Sequence, residues 1–279
     1  MSTPRPSVSD KRRTFHQLHQ SGCFVIPNPW DIGSARFLQS LGFKALASTS
    51  AGFAWSQGHA DNGVTRDMVV EHLAALVEAT DVPVNADFES GFSADAAGVG
   101  ESVRLAVQAG VAGLSIEDST GNKDNPLYDI DTAVERLRAA RKAIDATGGD
   151  TLLVGRAEGL LVGRPDMGDL VARLKAYANA GADCLYAPLL KTREQILTVV
   201  EAVAPKPVNL LMGWPGGMTV ADISALGVRR ISVGGALSSV AYSSFMNAAR
   251  QLAEGRFDAL TGAAGKELNP LFRGWGREA

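Results

Sequence analysis

The chain has few residues that bind transition metals or form disulfides: two cysteines and four histidines in 279 residues. Cys23 and Cys184 each lie beside an apolar, strand-like run, which is the usual setting of a buried cysteine. His16 and His19 could share one face of a helix, and we interpret them as solvated helix residues. The sequence therefore predicts neither a disulfide nor a zinc site.

Long apolar runs and an excess of basic charge are also absent. No apolar run approaches the roughly 18 residues that cross a bilayer, and the polar start MSTPRPSVSD lacks the apolar stretch of a signal peptide. With 27 basic and 30 acidic residues the formal charge is -3, so there is no broad basic surface for a nucleic-acid backbone. We therefore expect a cytoplasmic protein that binds neither membranes nor nucleic acids.

What the chain does have is a recurring unit of amphipathic helix, glycine turn and short apolar strand, as in FLQSLGFKALAS. We expect four of these turns to end helices, at Gly42, Gly110, Gly181 and Gly227. The apolar runs predict eight strands, near residues 24–27, 44–48, 83–87, 113–116, 152–156, 183–186, 207–211 and 230–233. Eight strands alternating with helices favour a single (β/α)8 barrel, with an open doubly wound sheet as the alternative.

The two ends of the chain extend beyond this barrel. We expect a disordered start over residues 1–9, then a barrel domain over residues 10–255 that opens with an extra N-terminal helix near residues 10–21. A C-terminal helical tail over residues 256–279 carries the apolar side chains Phe257, Leu260, Leu268, Leu271, Phe272 and Trp275. Such side chains favour docking on a neighbouring subunit, so we expect a homodimer or homotetramer.

Polar side chains follow most of the predicted strands. In a (β/α)8 barrel the active site lies at the carboxyl ends of the strands. The polar residues at or near those ends are Ser48, Thr49, Ser50, Asp87, Glu89, Glu117, Asp118, Arg156, Glu158 and Asn209. Carboxylates from two adjacent strands, together with water, make the oxygen-rich site that Mg2+ selects. An arginine one strand further can bind a substrate carboxylate through two parallel hydrogen bonds.

The alternative interpretation is that these carboxylates are solvated loop residues and that Arg156 pairs with one of them. However, three consecutive strands place charge at the same rim, and like charges repel unless a cation compensates them. The pattern therefore favours a metal site.

Five segments occur in a characteristic order over roughly residues 12–255: IPNPWDIGSARFLQSLGFKALASTSAGFAWSQGHADNG, VNADFESGF, GLSIEDSTG, VGRAEG and GVRRISVGGAL. Together they resemble the motifs of the isocitrate lyase and phosphoenolpyruvate mutase superfamily. The resemblance implies a Mg2+- or Mn2+-dependent barrel enzyme. It also implies a metal shell in which Asp87 binds the ion directly, Glu89 reaches it, often through water, and Glu117 is the third carboxylate.

The same resemblance implies roles around the substrate. Arg156 is similar to the arginine that binds the substrate carboxylate. The loop after strand two would hold a carboxylate or enolate oxygen through the hydroxyl and N–H groups of Thr49, Ser50 and Ala51. Asp61 falls beside the bond that breaks, although by itself it would be interpreted as a turn former. We therefore assign catalytic roles to Asp61, Arg156 and Thr49, and substrate contacts to Asn122 and Asn209 as well.

The sequence departs from the superfamily in its substrate-selecting parts. The loop after strand four reads EDSTGNKDNPLYD, without the Lys-Lys-Cys-Gly-His motif of isocitrate and methylisocitrate lyases, and neither Cys23 nor Cys184 can replace its cysteine. Asn122 and Asn125 instead resemble the asparagine-bearing gating loop of phosphonopyruvate-processing members. Strand six ends in Tyr186, where several members place a histidine or glutamate. The chain thus resembles a branch of the superfamily that lacks the lyase cysteine loop.

The expected activity is cleavage or formation of a C–C bond in a small 2-oxo or 2-hydroxy carboxylic acid, through a pyruvate-enolate-like intermediate. P–C bond chemistry on phosphonopyruvate is one alternative. A carboxylate-binding barrel that has lost catalysis is another, although its acidic metal shell would then have no purpose. The resemblance further implies that subunits exchange their C-terminal helices.

Overall fold

Eight short parallel strands line the interior of the computed structural model, which describes residues 4–273. The strands are β1 Phe24–Ile26, β2 Leu46–Ala47, β3 Val84–Asp87, β4 Gly113–Glu117, β5 Leu152–Arg156, β6 Cys184–Tyr186, β7 Val208–Leu211 and β8 Arg230–Ser232. The helices are α1 Val8–Gln20, α2 Ile32–Ser40, α3 Ser50–Ser56, α4 Arg66–Ala79, α5 Ala96–Gln108, α6 Ile130–Ala146, α7 Met167–Asn179, α8 Arg193–Val203, α9 Val220–Ala225, α10 Ala236–Ala253 and α11 Gly265–Phe272. All eight strands lie at the predicted positions.

The strands pair in the order β1-β8-β7-β6-β5-β4-β3-β2, and every pairing is parallel. The remaining gap lies between β1 and β2. There the N–H of Ala47 donates to the carbonyl of Pro27 at 3.0 Å. In addition, the side chain of Asn28 donates to the Ser48 carbonyl and accepts from the N–H groups of Val233 and Gly234. These bonds close the sheet, so the (β/α)8 barrel is confirmed and the open sheet is excluded.

The predicted glycine turns are confirmed at all four positions. Gly42, Gly110, Gly181 and Gly227 have φ angles between 84° and 104°, the left-handed conformation that ends helices. At Gly181 an added Cβ would also lie only 2.8 Å from Cγ of Arg141. Glycine is therefore required here for both backbone conformation and space.

Helix α1 covers the amino-terminal end of the barrel. Its Phe15 is fully buried and packs so closely on β4 that a Cβ at Gly113 would lie 2.6 Å from the ring. The helix begins at Val8, earlier than expected, and Ser7 caps it. Arg5 bonds the Asp81 carboxylate at 2.6 Å, so contacts hold part of the segment that we expected to be disordered. Residues 1–3 of that segment lie outside the described residues.

The two C-terminal helices differ in how they contact the barrel. Helix α10 buries only Ser238 and leaves most of its apolar side chains exposed, including Val240 and Phe245. Helix α11, in the tail that we expected to dock on a neighbouring subunit, lies against α2 of its own chain. Trp275 of the tail lies outside the described residues. No helix within residues 4–273 is long and apolar enough to span a bilayer.

Candidate active site

The charged residues predicted at the rim end three consecutive strands. Asp87 ends β3, Glu117 ends β4 and Arg156 ends β5. In the ladder between β4 and β5, Glu117 is paired directly with Arg156. Adjacent parallel strands bring their last residues to one edge, and the three side chains therefore meet at the carboxyl end of the barrel.

Arg156 lies at the centre of this acidic cluster. Its Nη1 atom lies 3.0 Å from Oδ1 of Asp87 and 3.2 Å from Oε2 of Glu117. Its Nε atom lies 2.5 Å from Oε1 of Glu158. The ring of Tyr186 covers the guanidinium, 5.1 Å from its carbon. In the alternative interpretation Arg156 would pair with one rim carboxylate. In the structure it forms ion pairs with three.

The cluster carries more negative charge than one guanidinium can offset. Burial raises the pKa of Glu89 to about 8, and the charges of Asp87 and Asp61 add to the rise. Burial also raises the pKa of Glu117 well above its ordinary value, although Arg156 opposes this shift. The pKa of Asp61 is raised by burial and then by Asp87. A bound cation would relieve this repulsion.

One carboxylate oxygen in the cluster is unsatisfied. Oε1 of Glu89 is buried and has no hydrogen-bond partner. Over residues 4–273, however, no three His, Cys, Asp or Glu side chains are arranged to enclose a metal ion, and Nη1 of Arg156 bridges Asp87 and Glu117. The donor set fits a hard divalent cation that takes one carboxylate directly and reaches others through water, the usual manner of Mg2+.

The loop after β3 has an unusual backbone. Glu89 and Phe92 have φ angles of 49° and 55°, and Gly91 between them has 86°. Left-handed conformations of side-chain-bearing residues cost about 1–3 kcal/mol each and persist only where surrounding contacts enforce them. A Cβ at Gly91 would lie 2.9 Å from Val99 on α5. The N–H of Glu117 donates to the Glu89 carbonyl at 3.0 Å, which ties this backbone to β4.

The loop after β2 holds Asp87 in place. The N–H and the hydroxyl of Ser50 each donate to Oδ2 of Asp87 at 2.9 Å. The N–H of Asp87 in turn donates to the hydroxyl of Ser48. The hydroxyl of Thr49 caps α3 by accepting from the N–H of Gly52. Ser50 thus orients the Asp87 carboxylate, and Thr49 caps α3, a short helix that we did not predict. The hydroxyl groups of both residues, which we expected to contact the substrate, have partners within the protein.

Ala51 and Asp61 lie close to these groups. Ala51 is half-buried in the first turn of α3, beside Gly235. Asp61 lies close to Ser50 and Asp87, and its carboxylate accepts a hydrogen bond from the N–H of Asn62. Asp61 therefore faces the acidic cluster, and turn formation alone does not describe it.

Asn122 and Asn209, the two expected substrate contacts, both have hydrogen-bond partners within the protein. Oδ1 of Asn122 accepts from the N–H of Asp124 in an exposed turn. Asn209 is fully buried within the barrel, where it donates to Ser232 at 3.0 Å and accepts from Nε of Arg230 at 2.8 Å. It is the second residue of β7, paired with Tyr186 at the end of β6, and its amide is already bonded on both sides. Its contact with a substrate stays a prediction.

Asp118 and Glu158 were among the polar residues expected at the strand ends, but the sequence predicted no specific role for them. Oδ1 of Asp118 accepts from the N–H of Glu158 at 2.8 Å, and its other oxygen binds Arg173 and the Tyr177 hydroxyl on α7. Alternate residues of a strand point to opposite faces, so Glu117 points inward and Asp118 points to the helix layer. The i,i+4 spacing of Arg173 and Tyr177 on one helix face was the available signal.

Comparison with known proteins gives consistent matches. A family model described as phosphoenolpyruvate phosphomutase matches residues 15–253. The structure of a protein from Burkholderia cenocepacia J2315, assigned as a lyase/mutase, is 45% identical with a TM-score of 0.91, covering 95% of this chain and 97% of that one. The oxaloacetate decarboxylase of Paraburkholderia xenovorans (strain LB400) is 29% identical over 94% of this chain and 88% of its own length. The structure of 2,3-dimethylmalate lyase is 27% identical with a TM-score of 0.83, covering 96% and 95%.

Proposed function

Because the chain belongs to the phosphoenolpyruvate phosphomutase family, we propose that it is a Mg2+-dependent enzyme that cleaves or forms a C–C bond in a small 2-oxo or 2-hydroxy carboxylic acid. The observation that carries this proposal is the buried cluster at the rim, in which Arg156 joins Asp87 and Glu117 while Glu89 keeps an unsatisfied oxygen. The family comprises carbon–carbon lyases and mutases. Retention of all three acidic residues argues against a barrel that only binds a carboxylate.

The proposed cation site uses three carboxylates. Asp87 would bind Mg2+ or Mn2+ directly, and Glu89 and Glu117 would reach it, in part through water. The family is generally metal-dependent, which agrees with this donor set. When bound, the ion would supply positive charge that stabilises an enolate-like oxygen.

The other residues would bind and orient the substrate. Arg156 already bonds three carboxylates through Nε and Nη1 and lies against the Tyr186 ring, so it would donate the N–H groups of Nη2 to a substrate carboxylate. Ser50 holds Asp87 through Oδ2. Thr49 caps α3 and Ala51 lies in its first turn, and this end of the helix would place N–H donors at the substrate. Asp61 faces the cluster from the next loop and would lie beside the bond that breaks.

The substrate class follows from the relatives. One is an oxaloacetate decarboxylase, another is a 2,3-dimethylmalate lyase, and a 2-methylisocitrate lyase of Escherichia coli (strain K12) is 31% identical over 54% of this chain. We therefore propose oxaloacetate-type acids first and alkylmalate- and methylisocitrate-type acids next. The family description favours one further candidate, P–C bond chemistry on phosphonopyruvate, in which Asp61 would act as nucleophile or support.

A calorimetric titration with Mg2+ and Mn2+ tests the site. Asp87→Ala should abolish binding, because no neighbouring neutral group can replace the ligand. Asp67→Ala, at an exposed position on α4, is the control. Equal affinity in the wild type and Asp87→Ala would refute the metal site.

A second experiment tests the activity. The protein is incubated with 2-oxo and 2-hydroxy di- and tricarboxylates and with phosphonopyruvate, and NMR of the products identifies the bond that breaks. If none of these compounds is turned over, the proposed activity is refuted.

A further inference from the structure

A buried arginine behind the rim is not explained by the roles above. Arg136 on α6 is 1% exposed. Its Nη2 atom donates to the carbonyls of Ser90 at 2.6 Å and Ser93 at 2.8 Å, and its Nη1 atom donates to the carbonyl of Ala94 at 3.2 Å. No carboxylate within residues 4–273 forms an ion pair with it. A buried cation without an ion pair requires other compensation, and here three backbone carbonyls provide it.

These three carbonyls belong to the loop after β3, which also carries Glu89. This loop contains the left-handed residues Glu89, Gly91 and Phe92. Such a backbone reverts to ordinary conformations unless neighbours enforce it. By gathering three carbonyls around one guanidinium, Arg136 holds the loop immediately after Glu89 in the conformation that points this carboxylate at the cluster.

The guanidinium is itself held from the other side. The ring of Tyr128 lies over it, with the guanidinium carbon 4.3 Å from the ring centroid. The N–H of Tyr128 donates to the carbonyl of Asp118, directly after β4. Through these contacts Arg136 connects the segments that follow the adjacent strands β3 and β4, and it fixes the position of one segment relative to the other.

We propose that Arg136 is a positioning residue that sets the cation affinity of the site through the backbone of Glu89. This inference rests on the proposed function, because it requires the rim carboxylates to bind a divalent cation. Arg136 does not touch the cation or the substrate; it acts only through the loop over residues 89–94.

Arg12 provides a matched control. It also donates to two backbone carbonyls, from Nη2 to Val107 at 2.7 Å and from Nε to Val111 at 3.1 Å. Val107 lies in the last turn of α5 and Val111 in the segment before β4, so both acceptors are at the opposite end of the barrel. An arginine with a purely structural role should therefore behave like Arg12 when it is replaced.

The test measures Mn2+ binding to the full chain, with Mn2+ alone as the probe, together with amide hydrogen exchange. Arg136→Lys keeps the positive charge but cannot donate to all three carbonyls in the same arrangement, and Arg136→Met removes both the charge and the hydrogen bonds. Affinity for Mn2+ should fall about tenfold in Arg136→Lys and further in Arg136→Met, the scale found for residues that orient metal ligands. Amide hydrogen exchange should become faster over residues 89–94.

The control variants Arg12→Lys and Arg12→Met should leave Mn2+ affinity unchanged. If Arg136→Met does not fold, Arg136→Lys alone decides.

A double-mutant cycle shows whether the effect passes through Glu89. In a Glu89→Gln background, Arg136→Lys should change Mn2+ affinity by less than about twofold, because the group that it positions is already neutral. Unchanged affinity in Arg136→Lys, or an equal loss with and without Glu89, would overturn the inference while leaving the proposed function standing. A wild-type protein that does not bind Mn2+ would overturn the proposed function and this inference together.

Discussion

Nη1 of Arg156 lies 3.0 Å from Oδ1 of Asp87, so the residue expected to bind the substrate carboxylate contacts the residue expected to bind the metal ion. The other oxygen of Asp87 accepts from Ser50. A substitution at either member of the pair therefore alters the surroundings of both proposed ligands. Substitutions that keep the charge or the shape of the side chain separate the two contributions.

The first prediction concerns carboxylate recognition by Arg156. Arg156→Lys keeps the positive charge in the acidic cluster but loses the planar pair of donors. Affinity for oxalate or a pyruvate analogue should fall roughly tenfold or more, since charge-assisted hydrogen bonds contribute on the order of 1.5–3 kcal/mol. Calorimetric titration in the presence of Mg2+ measures this change. Arg193→Lys, at an exposed ion pair with Asp222, should bind like the wild type. Unaltered analogue affinity in Arg156→Lys would assign carboxylate binding to another group.

The second prediction concerns turnover and Asp61. Asp61→Asn keeps the shape of the side chain and its place beside Ser50 but removes the charge that faces Asp87. We expect kcat to fall while analogue affinity stays within about twofold, because the proposed role of Asp61 lies at the bond that breaks. Steady-state kinetics and analogue titration on the same preparation separate these effects. Asp67→Asn on α4 is the control. Loss of analogue binding without loss of kcat would place Asp61 in substrate recognition instead.

The third prediction concerns stability in acid. His72 is stacked on Phe53 with ring centroids 4.0 Å apart, and burial lowers its pKa from 6.5 to about 4. Between these values the unfolded chain takes up a proton that the folded protein does not. Stability that is fully present above pH 6.5 is therefore lost as the pH falls toward 4, by up to about 1.4 kcal/mol per pH unit.

Urea unfolding at several pH values measures this dependence. His72→Phe keeps an aromatic ring against Phe53 but has no titrating group, so its stability should fall less steeply below pH 6.5 than that of the wild type. His59→Gln, in an exposed loop, is the control. Equal slopes for the wild type and His72→Phe would show that other groups govern the acid transition. His19 would then be examined first, because it packs against Phe15 and is not the solvated residue that we expected, and burial lowers its pKa to about 3.

The fourth prediction concerns assembly. Val240 and Phe245 on α10 are 65% and 66% exposed, and this helix buries little of its apolar surface within the chain. We expect sedimentation velocity to show a homodimer or homotetramer in which this surface is covered. Phe245→Asp should shift the distribution toward monomer, because an interface would bury an unpaired charge. Leu197→Asp, at an exposed apolar site on α8, should not. A wild-type monomer at micromolar concentration would contradict the prediction.

Much of the fold could be predicted because its signals are local. Each strand is a short apolar run, and Gly42 and Gly110 end helices because they alone tolerate the left-handed backbone there. Helix α3 was not predicted, since its seven residues are too few to show helical periodicity. The packing of α11 on α2 has no local signal either, because two distant segments meet there.

In the candidate site, too, the features with a local sequence signal could be predicted, and those that depend on distant segments could not. Charged residues at successive strand ends predicted that Asp87, Glu117 and Arg156 would meet, and the structure brings them into contact. The bonds of Asn209 to Ser232 and Arg230 could not be predicted, because the stagger between strands decides which side chains meet inside a barrel, and the sequence does not state it. The hydrogen bonds from Arg136 to the loop after β3 were not predicted, because their acceptors are backbone carbonyls, which every residue has.

By itself, therefore, the sequence determined the number, order and direction of the strands and the side chains that end them, because periodicity and turn chemistry act over a few residues. Only the tertiary structure decided that Arg156 would pair with three carboxylates, that Asp118 would face α7 and that Glu89 would keep a buried, unsatisfied oxygen. These features arise where segments separated by tens of residues are forced together in a low-dielectric interior. There, small differences in position decide which charges pair and which remain available for a ligand.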